Sequence, residues 1–185
     1  MVPNNDFDSD WYAFKAGDKE AFSRIYHQHV NALLKYGYKI HNNRSLVEDC
    51  VQDLFIDLWR TRRNLSDTTS VKFYLFRAIR YKILRKINEE SRVELLSLED
   101  CDRLSLWHAE NDLVEFEIQS QQMSHLKDSI NALPARQREA INLRFYNNFS
   151  NEEVARIMGV NYKSACRFIY MAIKKLKINL KVSVS

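Results

Sequence analysis

Glycine and proline are scarce: the 185 residues include only three Gly (Gly17, Gly37, Gly159) and two Pro (Pro3, Pro134). So few chain breakers disfavour a turn-rich β architecture and a glycine-cradled nucleotide site, and they fit long helices. Cysteine is equally sparse. Cys50, Cys101 and Cys166 form no Cys-x-x-Cys pair, which argues against a zinc finger or a disulfide framework and makes a reducing compartment the default. The sequence has no run of eighteen apolar residues, and its acidic start lacks a signal-peptide pattern, so a cytoplasmic protein is expected. The five His residues (His27, His29, His41, His108, His125) lack a nucleophile or a set of metal-ligating partners. No enzyme activity, metal or cofactor is therefore expected, and His27 and His29 read as surface groups.

The apolar fraction of 45% is ordinary for a folded protein, and the length allows one domain or two small ones. Net charge is only +4, but its distribution is uneven. Residues 1–88 carry 15 basic and 10 acidic side chains, residues 89–122 carry 2 and 10, and residues 123–185 carry 11 and 4. Two basic blocks separated by an acidic one point to two nucleic-acid-facing modules and a connector that avoids DNA. The plain alternative is that these runs are solvated faces.

In the first block, Ala21, Phe22, Ile25, Tyr26, Val30, Leu33, Leu34 and Tyr36 recur at helical spacing, and Gly37 marks a turn or a close helix crossing. A second helix is predicted over Ser45–Thr61, with Ser45 as N-cap and Glu48 completing a capping box. Its apolar face is Val47, Val51, Leu54, Phe55, Leu58 and Trp59, opposite an acidic face of Glu48, Asp49, Gln52, Asp53 and Asp57. A third helix, over Thr69–Asn88, carries Lys72, Arg77, Arg80, Lys82, Arg85 and Lys86 with no acid between them. Phe73, Tyr74, Phe76 and Tyr81 interleave with these cations. Rings that stack on unpaired bases beside cations that follow the backbone suit a single strand or a melted duplex, although some of these aromatics serve the core. The connector, Glu89–Gln122, mixes acids with Leu95, Leu96, Leu98, Leu104, Leu106, Trp107 and Ile118 and is too apolar for simple disorder.

The last block opens with a helix over Glu117–Ala132, presenting Met123, Leu126 and Ile130 on one face. A second helix, Pro134–Tyr146, follows with Ala140, Ile141, Leu143 and Phe145 turned inward in part. Ser150 and Glu153 then form a capping box, Val154, Ala155 and Met158 pack inward, and Gly159 supplies a turn. A long helix follows with Val160, Ala165, Ile169 and Ile173 buried. Its outer face offers Asn161, Lys163, Ser164, Arg167, Tyr170 and Lys174. A capping box, a small residue, a Gly turn and a basic second helix in register make a helix-turn-helix, which seats its second helix in a DNA major groove. Lys174, Lys175, Lys177 and Lys181 are placed to touch the DNA backbone. Cys166 reads as a packing residue, with a redox-sensitive contact as the sharper alternative.

Taken together, these features resemble the extracytoplasmic-function group of bacterial RNA polymerase sigma factors, over about residues 13–90 and 122–180. The family's region 2 stretch Glu-Asp-x-x-Gln-x-x-Phe-x-x-Leu-Trp reads here Glu48-Asp49-Cys50-Val51-Gln52-Asp53-Leu54-Phe55-Ile56-Asp57-Leu58-Trp59. Its region 4 pattern appears as Leu133-Pro134-Ala135-Arg136-Gln137-Arg138-Glu139, followed by the helix-turn-helix. The resemblance implies an all-α fold of two small helical domains: region 2 over 1–90 and region 4 over 122–185, joined by an acidic linker over 91–121. It further implies a sigma factor that directs core RNA polymerase to promoter DNA. Glu48, Asp49, Gln52, Asp53, Phe55, Asp57 and Trp59 would dock on the β′ clamp helices, with further contacts to the β subunit. Lys72, Tyr74, Arg77, Arg80, Tyr81, Lys82 and Arg85 would meet the −10 element. Arg138, Asn161, Lys163, Ser164, Arg167, Tyr170 and Lys174 would meet the −35 element. An anti-sigma factor is a further implied partner.

Two departures bear on the promoter. Ile79-Arg80-Tyr81 stands where the family commonly has Ala-Arg-Asn, with Arg85 at a position usually Asp. On the recognition helix, Ser164-Ala165-Cys166 replaces Thr-Val-Lys, and Phe168 stands where a basic residue is common. The family's promoter sequence therefore does not carry over. The alternative reading is a stand-alone helix-turn-helix regulator with a dimerising or ligand-binding N-terminal bundle. A third is an adaptor whose acidic face binds another protein.

Overall fold

A computed structural model describes the backbone of residues 5–68, 70–94 and 120–182, with side chains over 9–68, 70–90 and 126–179. Among the described residues every regular element is helical, and the chain divides into two compact units, Met1–Asp100 and Cys101–Ser185. Most of the acidic connector, including Leu95 to Ile118, lies outside the described residues.

The first unit contains α1 (Asn5–Ala16), α2 (Lys19–Ile40), α3 (Arg44–Thr61) and α4 (Val71–Glu94). Gly17 ends α1 at φ +104°, a conformation that L side chains rarely adopt, and Asp18 starts α2 by accepting from the N–H groups of Glu20 and Ala21. These adjacent stop and start signals fold α1 back on α2 within two residues. α1 has no counterpart among the expected helices, yet it buries Trp11 and Phe14 completely enough to close the bundle. The cap of α3 also differs from expectation. Asn43, not Ser45, accepts from the Leu46 N–H at 3.1 Å, while Glu48 receives the Tyr38 hydroxyl at 2.8 Å instead of closing a capping box. The third predicted helix starts at Val71, where Ser70 Oγ takes the Phe73 N–H, and it runs on past Asn88 to Glu94.

The predicted apolar faces meet one another. Ile25, Leu33 and Tyr36 of α2, Val47, Val51 and Leu58 of α3, and Leu75, Phe76 and Ile79 of α4 are all buried. Each such side chain contributes about 1.5–3 kcal/mol through burial. Gly37 lies at the crossing of three helices: a Cβ there would stand 2.5 Å from Val47 Cγ1 and 3.2 Å from Ile83 Cδ1. Gly37→Ala is accordingly expected to destabilise this unit by about 1–3 kcal/mol through overpacking. A melting temperature equal to the parent protein's would show that the crossing has room.

His29 is a correction to its expected surface position. It is buried between the helices at 7% exposure, and burial, aided by the positive charge of Lys72, lowers its pKa to about 4.

The second unit contains α5 (Ser120–Asn131), α6 (Ala135–Ile141), a π-turn (Asn142–Tyr146), α7 (Asn151–Met158) and α8 (Tyr162–Val182). Its core includes Leu133, Ile141, Leu143, Val154, Ile157, Ala165 and Ala172. The π-turn overturns one expectation. Continued as an α-helix, Phe145 would fall under Ile141. The wider turn rotates it outward to 55% exposure, with Tyr146 at 65%, and Phe149 fills the inward position instead. Asn147 fixes this turn through its N–H and side chain, both donated to Asn142, and Arg144 donates to the Phe149 carbonyl.

Candidate functional site

Three exposed faces carry the residues expected to act. The first is the outside of α3. The Asn43 cap fixes the helix start, and burial of Val47, Val51, Leu54 and Leu58 fixes its rotation, so Glu48, Asp49, Gln52, Asp53 and Asp57 all point to solvent. Ile56 lies among them at 53% exposure, an apolar contact that the acidic pattern concealed. Phe55 and Trp59 do not join this face. Phe55 is buried edge-on against Phe22 and Tyr26, and Trp59 packs against Phe22 and Phe14 while the Arg62 guanidinium covers its ring at 4.3 Å. These two residues set the rotation of α3 and do not present a surface of their own. The neighbouring aromatics of α1 and α2 supply packing that a periodicity reading of α3 alone cannot show.

The second face is on α4. Arg77, Tyr81 and Arg85 are exposed, whereas Lys72, Tyr74, Arg80 and Lys82 are half-buried. Tyr81, at 67% exposure, is the ring best placed to stack on an unpaired base. Tyr74 turns inward with its ring 5.6 Å from Trp11, and burial raises its hydroxyl pKa. Lys82 donates to Asp57 at 2.6 Å and Arg85 to Glu89 at 2.7 Å. The Lys82 hydrogen bond lowers the Asp57 pKa, and the Glu89 bond raises that of Arg85. Between α3 and α4 lies a groove of about 410 Å³, with Cys50, Leu54 and Leu58 among its apolar lining and Asp53, Asp57 and Lys82 along its walls. Burial raises the Cys50 thiol pKa, which keeps it in the unreactive protonated form.

The third face is the outside of α8. Ser150 Oγ accepts from the Glu153 N–H while Glu153 Oε2 accepts from the Ser150 N–H, so the predicted capping box is complete. Gly159 takes φ +65° and closes α7 with its N–H on the Ala155 carbonyl. Burial of Ala165, Ile169 and Ala172 then turns Lys163, Arg167, Tyr170 and Lys174 to solvent. Asn161 is exposed as expected, but its Oδ1 caps α8 by accepting from the Ser164 N–H at 2.8 Å, and Ser164 itself is half-buried. Arg138 is not on this surface. It is 7% exposed, donates to the Asn131 carbonyl at 2.6 Å and braces the end of α5, and burial lowers its pKa. Cys166 is half-buried and accepts from Asn151 Nδ2 at 3.6 Å, tying the start of α7 to α8. Among the described residues, no group of His, Cys, Asp and Glu could hold a metal ion, and no helix is long and apolar enough to cross a membrane.

Comparison with known proteins gives this arrangement a lineage. The family model for sigma-70 region 2 matches residues 25–93, and that for sigma-70 region 4 matches residues 125–176. The ECF RNA polymerase sigma factor BldN of Streptomyces coelicolor is 26% identical over 168 residues, covering 88% of this chain and 61% of BldN. The RNA polymerase sigma factor SigZ of Bacillus subtilis is 23% identical over 136 residues, covering 74% of this chain and 73% of SigZ. Among solved structures, the sigma factor RpoE in complex with the anti-sigma factor NepR from Bartonella quintana shares the fold at a TM-score of 0.65, with 23% identity over 87% of this chain and 97% of RpoE. CnrH in complex with the cytosolic domain of CnrY does so at 0.61, with 20% identity over 95% of this chain and 97% of CnrH. With both region models placed on the helices that carry the three faces, and together spanning more than half of its length, the chain belongs to the sigma-70 family of RNA polymerase sigma factors, in the extracytoplasmic-function group.

Proposed function

We propose that this chain recruits core RNA polymerase to promoter DNA and starts transcription, with its three exposed faces dividing the work. The α3 face (Glu48, Asp49, Gln52, Asp53, Ile56 and Asp57) docks on the β′ clamp helices, where carboxylates around an apolar centre suit a basic partner surface. The α8 face holds the −35 element as duplex. Arg167 and Lys163 lie near the helix start, where side chains reach base edges, and Lys174 lies further along, where it reaches phosphate. The α4 face captures the non-template strand of the −10 element. Stacking on Tyr81 and phosphate contacts from Arg77 and its neighbours offset the lost duplex stacking, so binding energy drives strand opening. The polymerase supplies the chemistry. A chain engaged in this way acts in the cytoplasm, and an anti-sigma factor that covered either basic face would hold it inactive.

The observation that carries this reading is the pairing, within one unit, of an outward acidic face on α3 with an outward basic and aromatic face on α4. A stand-alone DNA regulator has no use for the first. The test is run-off transcription with purified core polymerase on promoters from the source genome. Discrete starts are expected only when the protein is added. Arg167→Ala should reduce their yield by about 5- to 150-fold, the effect of losing about 1–3 kcal/mol of base contact. Salt-sensitive duplex binding with no initiation would instead identify a stand-alone regulator.

A further inference from the structure

Two cations of the strand-facing helix already have carboxylates on them. Lys82 Nζ of α4 reaches across 25 residues of sequence to Asp57 Oδ2 of α3 at 2.6 Å, and Arg85 Nε holds Glu89 Oε1 at 2.7 Å within α4 itself. Both pairs border the groove between the two helices. A carboxylate oxygen at this distance from an ammonium stands where a phosphate oxygen would otherwise stand. The two pairs differ in one respect. Glu89 shares a helix with its partner, whereas Asp57 sits on the outer, acidic face of α3, so it belongs at once to the core-docking face and to the binding shell of a strand-facing lysine.

We propose that Asp57 is a built-in phosphate mimic: it occupies Lys82 in the free protein and releases it when α3 docks on the basic surface of core polymerase. Docking draws the Asp57 carboxylate toward the partner's cations, and Lys82 turns to the phosphodiester of the opened strand. Core binding and single-strand binding are then coupled, and by linkage a bound strand strengthens core binding by the same factor. The pair is partly solvated, with side-chain exposures of 26% for Lys82 and 53% for Asp57, so the lock is light. Exposed ion pairs of this kind correspond to about a two- to fivefold change in affinity. The inference rests on the promoter reading above and adds to it the ion pair that holds Lys82 until α3 docks.

The test uses the full chain and a short fluorescent single-stranded oligodeoxynucleotide of mixed sequence, titrated at several salt concentrations with and without core polymerase. Without core, Asp57→Asn should bind about two- to fivefold more tightly than the parent. Its log–log salt slope should steepen by about 0.7, the value of one added phosphate contact. The gain should vanish in the Asp57→Asn/Lys82→Met double variant, and saturating core should bring the parent up to the Asp57→Asn level. Glu90→Gln removes an exposed carboxylate from α4 outside the groove and should leave the slope unchanged. Equal affinity and slope for Asp57→Asn and the parent would overturn the proposal. So would a gain that persists without Lys82, which would mark general charge repulsion. Run-off transcription by the parent, together with weaker strand binding by Lys82→Met in the core complex, keeps failure of the lock distinct from failure of the promoter reading.

Discussion

Trp11→Ala is expected to cost the N-terminal unit about 3–5 kcal/mol, the range for removing a fully buried large aromatic. Trp11 is 1% exposed, with its ring 5.4 Å from Phe14 and 5.6 Å from Tyr74, so it joins α1 to the start of α4. Aromatic pairs at such distances add about 0.5–1.5 kcal/mol each beyond burial. Among the described residues the buried indole N–H has no acceptor in reach, so packing is what the residue contributes. Trp11→Phe should therefore retain much of the stability, since it keeps an aromatic ring and removes an unpaired donor. At about 4–8 °C per kcal/mol for a unit of this size, Trp11→Ala should lower its melting transition by about 12–40 °C. The transition of the C-terminal unit should stay in place. A shift of only a few degrees would mean that α1 is dispensable packing. Lys15 of α1 also pairs with Asp67 at 2.6 Å, so loosening α1 frees both the segment leading into α4 and the first turn of α4.

The second large effect is one of pH. His29 titrates near 4 in the folded unit, against about 6.5 when unfolded, because burial and then Lys72 disfavour its charged form. Between those values the unfolded chain holds more protons than the folded one, so folding stability rises with pH. The contribution is complete above about pH 6.5, declines as the pH falls toward 4, and amounts to about 3 kcal/mol across the window. Urea unfolding of the parent and of His29→Leu at several pH values between 7 and 4 measures it. The parent should lose stability relative to His29→Leu as the pH falls. Parallel curves for the two proteins would show that His29 is not the titrating group.

Much of the candidate site was legible without the fold because its signals are local. A Ser and a Glu three residues apart define the capping box at Ser150 and Glu153, and a Gly one turn past Ala155 defines the turn, whatever surrounds them. Helical spacing likewise sorted α3 into an apolar and an acidic face, and the burial of Val47, Val51, Leu54 and Leu58 against the exposure of Asp49 and Asp53 matches that division. For the same reason the outer side of α8 was readable down to Lys163, Arg167, Tyr170 and Lys174.

Periodicity assigns residues to a common side of a helix, but it does not say what covers that side, and there the tertiary structure decided. Phe55 and Trp59 left the predicted acidic face because aromatics of α1 and α2, tens of residues earlier, pack over them. Arg138 left the set predicted to face DNA because its buried guanidinium donates to a carbonyl at the end of α5. Phe145 turned outward because one π-turn shifts the phase of every residue after it. His29 became a titrating core residue, and Asp57 met Lys82, only once helices distant in sequence were laid side by side. By itself, then, the sequence determined most of the helices, the cap and Gly turn of α7 and the sign of charge on each face, all set within one or two turns of chain. Which of those side chains remain available to a partner is set by burial and by charge pairs between helices, quantities that exist only in the packed fold.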